Sequence, residues 1–199
     1  MNRPQPLTPA EAHEAIQRLL DMTKTLRARP RCTDCGTVQR AVRQTVMYPE
    51  SGLNNVQLIN VPVWVCANGH EEVEIPAVTE LHELLAQMII RKPAFLAGAE
   101  IRFIRRRADL GGKEFAERIG ITPQHLSRIE NDKGNKSKML DLLIRLSIAT
   151  LIAARDRKPF PADLAPLVDQ LDHAQDVGTH RLKHMDRALP KHEWKETSA

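Results

Sequence analysis

Ala116, Gly120-Ile121-Thr122, Leu126 and Ile129-Glu130-Asn131 stand at a spacing that dictates three short, tightly crossed helices over residues 98–131. A small side chain at 116 lets a third helix cross close to the second. Gly120 lets the second helix end in the positive-φ conformation that a tight bend needs. Thr122 and Pro123 supply a cap and a first helical residue for the third. The apolar periodicity predicts a first helix from Gly98 to Leu110, with Ile101, Ile104 and Ala108 inward. A second runs from Lys113 to Ile119 with Phe115, Ala116 and Ile119 inward, and a third from Pro123 to about Asn131 with Leu126 and Ile129 buried. Ile121 plugs the core between them. A long helix from Ser137 to about Arg155 follows, and Met139, Leu140, Leu142, Leu143, Leu146, Ile148, Ala149, Leu151 and Ile152 cover more than one of its faces. One face suits the three-helix core. The other needs either a helix over 162–176 (Leu164, Leu167, Val168, Leu171) or a second subunit.

Charge is concentrated in the same region. Residues 100–160 hold 14 Lys/Arg against 8 Asp/Glu, although the whole chain carries only +4. A localised basic excess is the footprint of a phosphate-binding module, or else a solvated helix face. On the third helix, positions 124, 125 and 128 face away from Leu126 and Ile129. Gln124 can pair bidentately with adenine and Arg128 with guanine, with His125 as a third base-contact candidate. Thr122, Ser127, Asn131, Lys133, Lys136 and, on the second helix, Lys113 are donors suited to phosphate contacts. Glu130 reads as structural, paired with an arginine of the first helix. The spacing resembles the lambda-repressor-like (XRE) helix-turn-helix family. That resemblance implies that positions 124 and 128 read bases and that a homodimer meets a palindromic double-stranded operator, with half-sites about one DNA turn apart. Family members carry Ser/Thr-Gln where this chain has Gly111-Gly112, which implies weaker phosphate anchoring at the second helix, offset in part by Lys113.

Upstream lies a metal-ligand pattern. Cys32-Thr33-Asp34-Cys35-Gly36 is one knuckle, and Cys66-Ala67-Asn68-Gly69-His70 is its partner across a strand pair. Zinc takes four tetrahedral thiolate and imidazole ligands, here Cys32, Cys35, Cys66 and His70. A standard second knuckle would place its ligand at 69, which is Gly, so the role moves to His70. Four protein ligands leave no open position, so the zinc (Zn2+) is structural, and it supplies folding energy to a sheet of about 45 residues that is too small for its own core. The other reading is a decayed site whose cysteines are small core residues. The sheet itself is read from alternation. Val38, Val42, Val46 and Tyr48 alternate with Gln39, Arg43 and Thr45, residues 49–55 form a turn, and Ile59, Val61, Val63 and Val65 share a face of the second strand. Pro62 marks an edge or a bulge, and Glu71 to Ile75 form a short third strand.

The expected fold class is α+β: a small zinc-bound antiparallel β domain with flanking helices, followed by an all-α lambda-repressor-like helix-turn-helix domain. Its parts are an amphipathic helix within 1–30 (Ile16, Leu19, Leu20, Thr23, Leu26), the zinc-binding β domain with its trailing helix (Thr79 to Lys92, capped by Thr79) at 31–92, the helix-turn-helix domain at 93–157, and a C-terminal helix with a frayed polar tail at 158–199. No run of about 18 apolar residues can cross a membrane. The lack of an apolar leader and the odd number of cysteines point to a reduced, cytoplasmic setting. An enzyme is not expected. A zinc hydrolase would need an acid/base, and Glu71 and Glu72 are the only candidates beside His70.

The order of a Cys-paired zinc domain, a Val-Pro-Val-Trp-Val-Cys strand, a helix and a helix-turn-helix resembles the MqsA-type antitoxin family (YgiT-type zinc finger) over roughly residues 31 to 150. The resemblance implies that the zinc domain binds a small ribonuclease toxin while the C-terminal domain dimerises and represses its own operon. The helix before Cys32, the region after 155 and the altered Gly69-His70 knuckle depart from that plan. Repression therefore carries over further than toxin neutralisation. The competing reading is a zinc-scaffolded protein-interaction module whose helix-turn-helix serves only to dimerise.

Overall fold

A computed structural model describes residues 30–157, 180–185 and 193–197. The helices expected within 1–30 and over 162–176 lie outside the described residues. The described elements, in order, are β1 (Gln39–Met47), β2 (Val56–Cys66), β3 (Glu71–Val73), α1 (Val78–Arg91), α2 (Gly98–Arg107), α3 (Gly112–Arg118), α4 (Pro123–Glu130), α5 (Lys138–Asp156), β4 (His180–Met185) and β5 (Glu193–Glu196). The class is α+β, a largely antiparallel sheet followed by helices. The sheet order is β1-β2-β4-β5, with β3 also on β2. The described residues form two compact units: 30–43 with Pro62–Glu74, and Gln44–Val61 with the described residues from Ile75 onward.

The first unit is built from the far ends of β1 and β2 with β3. Its antiparallel β2–β3 register pairs Val63 with Val73 and Val65 with Glu71. Trp64 Nε1 donates to Glu74 Oε2 at 2.8 Å, which fastens β3 from its exposed side. Alternation misplaces two positions here. Val38 is 44% exposed while Gln39 is buried, because the inward site next to the knuckle falls one residue later. In β2 the buried residues are Val56 and Leu58, then Val61, Val63 and Cys66, so Ile59 does not share the face of Val61 and Val63. The break is Asn60, whose φ of 63° is a conformation that Asn tolerates better than most side chains, and one inserted residue flips the pleat.

The second unit holds the main core: Leu58, Leu81, Leu85, Ile89, Ile101, Ile104, Phe115, Leu126, Ile129 and Ile148 are all buried in one cluster. The polar tail joins it. β4 runs parallel to β2, with Val56 opposite His180 and Leu58 opposite Leu182, and β5 pairs antiparallel with β4. Leu182 is fully buried, and Trp194 donates its indole N–H to the Pro76 carbonyl at 3.0 Å. The expectation of a frayed tail is corrected for 180–185 and 193–197, where a few apolar residues anchor two short strands. Helix α1 begins one residue earlier than read, at Val78, and Thr79 does not cap it: Ala77 is the cap residue, at φ 49° and without a side-chain bond.

The four helices α2 to α5 fall where the periodicity put them, within a few residues at each end. Gly98 opens α2 against the end of α4, and a Cβ there would lie 2.5 Å from the Glu130 carbonyl oxygen and 2.6 Å from that of Ile129. Both obstacles are backbone. Gly98→Ala should therefore cost about 1–3 kcal/mol, read as a lower urea midpoint at an unchanged m-value. A variant with the parent midpoint would mean that α2 and α4 separate without penalty.

Candidate metal centre and nucleic-acid interface

In the first unit, Cys32, Cys35, Cys66 and His70 converge, with all four donor atoms within 4.8 Å of one another. The two knuckles have matching backbone turns. Gly36 N–H donates to Cys32 O at 2.9 Å with Gly36 at φ 70°, and Gly69 N–H donates to Cys66 O at 3.1 Å with Gly69 at φ 83°. The second turn closes one residue earlier, which makes position 69 the glycine and delivers His70 instead. Cys32 Sγ lies 3.4 Å from His70 Nδ1, and Cys35 Sγ lies 3.7 Å from Cys66 Sγ. Ligands about 2.1–2.3 Å from a tetrahedral ion stand about 3.5–3.8 Å apart, close to the separations of these two pairs. These four residues can hold a metal.

Around the cluster, the Thr37 hydroxyl, 3.3 Å from Cys35 Sγ, and the Thr37 backbone draw the Cys35 thiol down to about 6. Burial pushes the Cys32 thiol up. Glu72 accepts hydrogen bonds from Thr33 N–H at 2.9 Å and Thr33 Oγ1 at 2.8 Å, which hold its carboxyl below the usual range. Glu72 thus braces the first knuckle against β3, a fixed structural contact rather than a mobile acid/base.

In the second unit, α4 buries Leu126 and Ile129 and exposes Gln124, Ser127 and Arg128, with His125 half-buried. Gln124 and Arg128 stand four residues apart, one helical turn, on the same outward face. Thr122 Oγ1 accepts the His125 N–H at 3.1 Å, so the start of α4 is capped as expected. Its far end is fixed by Glu130, which takes a fork from Arg105 at 2.6 and 3.0 Å, with Arg102 Nε 3.5 Å away. This is the pairing with a first-helix arginine that the sequence suggested.

The expected phosphate donors separate into two groups. Lys113 and Lys133 are exposed, as are Thr122 and Ser127, although Lys113 also lies 4.0 Å from Glu117. Asn131 is exposed as well, although its side chain is engaged: its amide donates to the Ser127 carbonyl at 2.7 Å and its Oδ1 accepts from Arg102 at 3.0 Å. Lys136 is a correction. Its side chain is 4% exposed, its ammonium donates to the Leu96 carbonyl, and it lies 3.6 Å from Asp132. The aliphatic stem is buried and the charge is spent on the fold, leaving nothing to meet a phosphate.

Two polar groups escaped the sequence reading. Asp141 and Arg145 are fully buried within the apolar helix α5 and lie 2.5 Å apart. Arg145 also donates to the carbonyls of Ile90, Lys92 and Ala94 at 2.5–2.8 Å, while Asp141 accepts the Leu96 N–H at 2.9 Å. Their spacing of four residues inside an apolar run was the available signal. Nearby, Glu100 bonds Lys92 Nζ at 2.7 Å and His180 Nε2 at 3.2 Å. Burial pushes the Glu100 carboxyl up, but the bonds from His180, Lys92 and the Ala97 N–H outweigh it and hold it below the usual range.

Among the described residues no helix is long and apolar enough to cross a membrane. No curated protein and no solved structure matches the chain. A helix-turn-helix family model matches residues 101–149, the stretch from α2 into α5, which makes this segment an XRE-type helix-turn-helix, a DNA-binding domain.

Proposed function

We propose that this chain is a sequence-specific transcriptional regulator, a repressor that binds double-stranded operator DNA as a homodimer and carries a structural zinc at Cys32, Cys35, Cys66 and His70. The observation that carries the proposal is the outward face of α4: Gln124 and Arg128 are exposed one turn apart while the opposite face is locked into the core. Gln124 and Arg128 read base edges, His125 lies beside them, and Thr122, Ser127, Lys113 and Lys133 position the backbone. Dimerisation is supported by α5, which exposes Met139 at 74%, Leu143 at 40% and Leu146 at 48% along one stripe. Three large apolar groups in such an array are better covered by a second copy than by water. The cytoplasm fits these roles.

An antitoxin role rests on the resemblance to the MqsA-type family. Val38 and Val73, 44% and 50% exposed on the first unit, are the apolar groups that a small protein partner would cover there. An interaction module without base reading would leave Gln124 and Arg128 with no task. Binding-site selection from a random duplex library, followed by footprinting, tests the proposal. Arg128→Ala should weaken the selected site by about 1–3 kcal/mol and relax preference at one base pair. Equal binding by parent and variant to selected and scrambled duplexes would refute sequence reading.

A further inference from the structure

The second unit holds a half-open cavity of about 520 Å3 on the side of α2 that bears Arg102, Arg106 and Arg107. Those three arginines and Arg155 of α5 line it, together with Thr79 and His82 of α1 and Phe103 of α2. Neither Gln124 nor Arg128 lines it, and it is separate from the metal-ligand cluster. Partners already hold three of the arginines in place. Asp156 sits 2.7 Å from Arg155 and 3.6 Å from Arg107, and Arg102 donates to the Glu130 carbonyl at 2.8 Å. Arg106 is exposed and, among the described residues, has no side-chain partner; Asp109 is the single acid lining the cavity.

The lining also contains two rings, His82 and Phe103. His82 stacks on Tyr48 at 5.8 Å and meets Phe103 edge-on at 5.5 Å. Burial also lowers the His82 pKa and so favours its neutral imidazole. Thr79, in the first turn of α1, also lines the cavity. The volume falls within the range of small-molecule sites and well exceeds that of a bare phosphate.

We infer that this cavity binds a small organic phosphate of about mononucleotide size, its phosphate on Arg106 and its flat body against His82 and Phe103. The site stands whether or not the chain reads operator DNA. Calorimetric titration of the full-length, metal-loaded protein with adenosine monophosphate, and separately with inorganic phosphate, tests it. Adenosine monophosphate should bind at least about tenfold tighter than inorganic phosphate, because only it can use the ring wall. Arg106→Ala should weaken that binding about tenfold or more, and Arg106→Lys should recover part of the loss. Arg106 is exposed, so its replacement leaves the core untouched, and an unchanged circular dichroism spectrum verifies this. No binding of adenosine monophosphate at about 10 mM overturns the inference. Equal affinities for the two probes, or binding unaffected by Arg106→Ala, also overturn it. If Arg106→Ala instead changes only duplex binding, lowering the salt slope by about one, the arginine serves the DNA backbone and the cavity is not a ligand site.

Discussion

Arg145→Ala is expected to cost about 3–5 kcal/mol, a large fraction of the stability of a domain this size. The guanidinium is fully buried, and it is paired with Asp141 while donating to backbone carbonyls of the segment between α1 and α2. Removing it leaves three things at once: an unpaired buried carboxylate, carbonyls without donors, and a cavity where the side chain lay. None of these can be rescued by water without opening the core. The pair is not thereby a net stabiliser. The Asp141→Leu, Arg145→Met double variant should be less destabilised than either single replacement, because it removes both charges together. Guanidinium denaturation followed by circular dichroism checks all three. A cost below about 1 kcal/mol for Arg145→Ala would mean that the segment before α2 is held by other contacts.

The clamp also marks where the sequence was readable and where it was not. The helix-turn-helix was legible because its signals are local. Gly120, Thr122-Pro123 and the Leu126/Ile129 stripe each act within one turn, and the observed α3 and α4 follow them. The outward placement of Gln124 and Arg128 follows from the same helical period. What failed depends on distant contacts. Lys136 looks like a surface lysine until the Leu96 carbonyl, forty positions away, is brought to its ammonium. Arg145 looks like one charge in an apolar helix until the carbonyls of Ile90, Lys92 and Ala94 converge on it. β4 and β5 carry too few apolar residues to declare themselves, and Leu182 and Trp194 become core only because β2 offers an open edge. In β2 the inward phase read for Val61 and Val63 holds, but Ile59 falls out of it, since a left-handed residue at Asn60 shifts the alternation between the two halves of the strand. The cysteine spacing named the four converging donors; the two glycine turns bring them within 4.8 Å of one another.

Stripping metal from the protein should unfold the first unit and leave the second standing. Among the described residues of the first unit the buried apolar side chains are Cys32, Val63 and Cys66, all but Val63 metal-ligand candidates. The second unit contains the whole main cluster, from Tyr48 and Leu53 through Ile152 to Leu182 and Trp194. A three-residue interior cannot offset the conformational entropy of some 27 ordered residues at about 1–2 kcal/mol each. Strand pairing and the Glu72–Thr33 contact help, and a bound metal, worth an apparent 10–16 kcal/mol or so for sites of this type, would be the largest single stabilising contribution. Purified protein should contain about one zinc per chain. After chelation, amide hydrogen exchange should lose its protection over 30–43 and 62–74 and keep it in α2, α4 and α5. Cys66→Ser and His70→Ala should reproduce that pattern without a chelator, whereas Thr33→Ala, which removes one bond to Glu72, should weaken it by about 1 kcal/mol. Protection over 62–74 that survives chelation would show that the sheet folds on its own contacts and that the cysteines are core residues rather than ligands. Loss of protection throughout α2 to α5 would show instead that the second unit depends on the first, and the separate core described for it would not be sufficient.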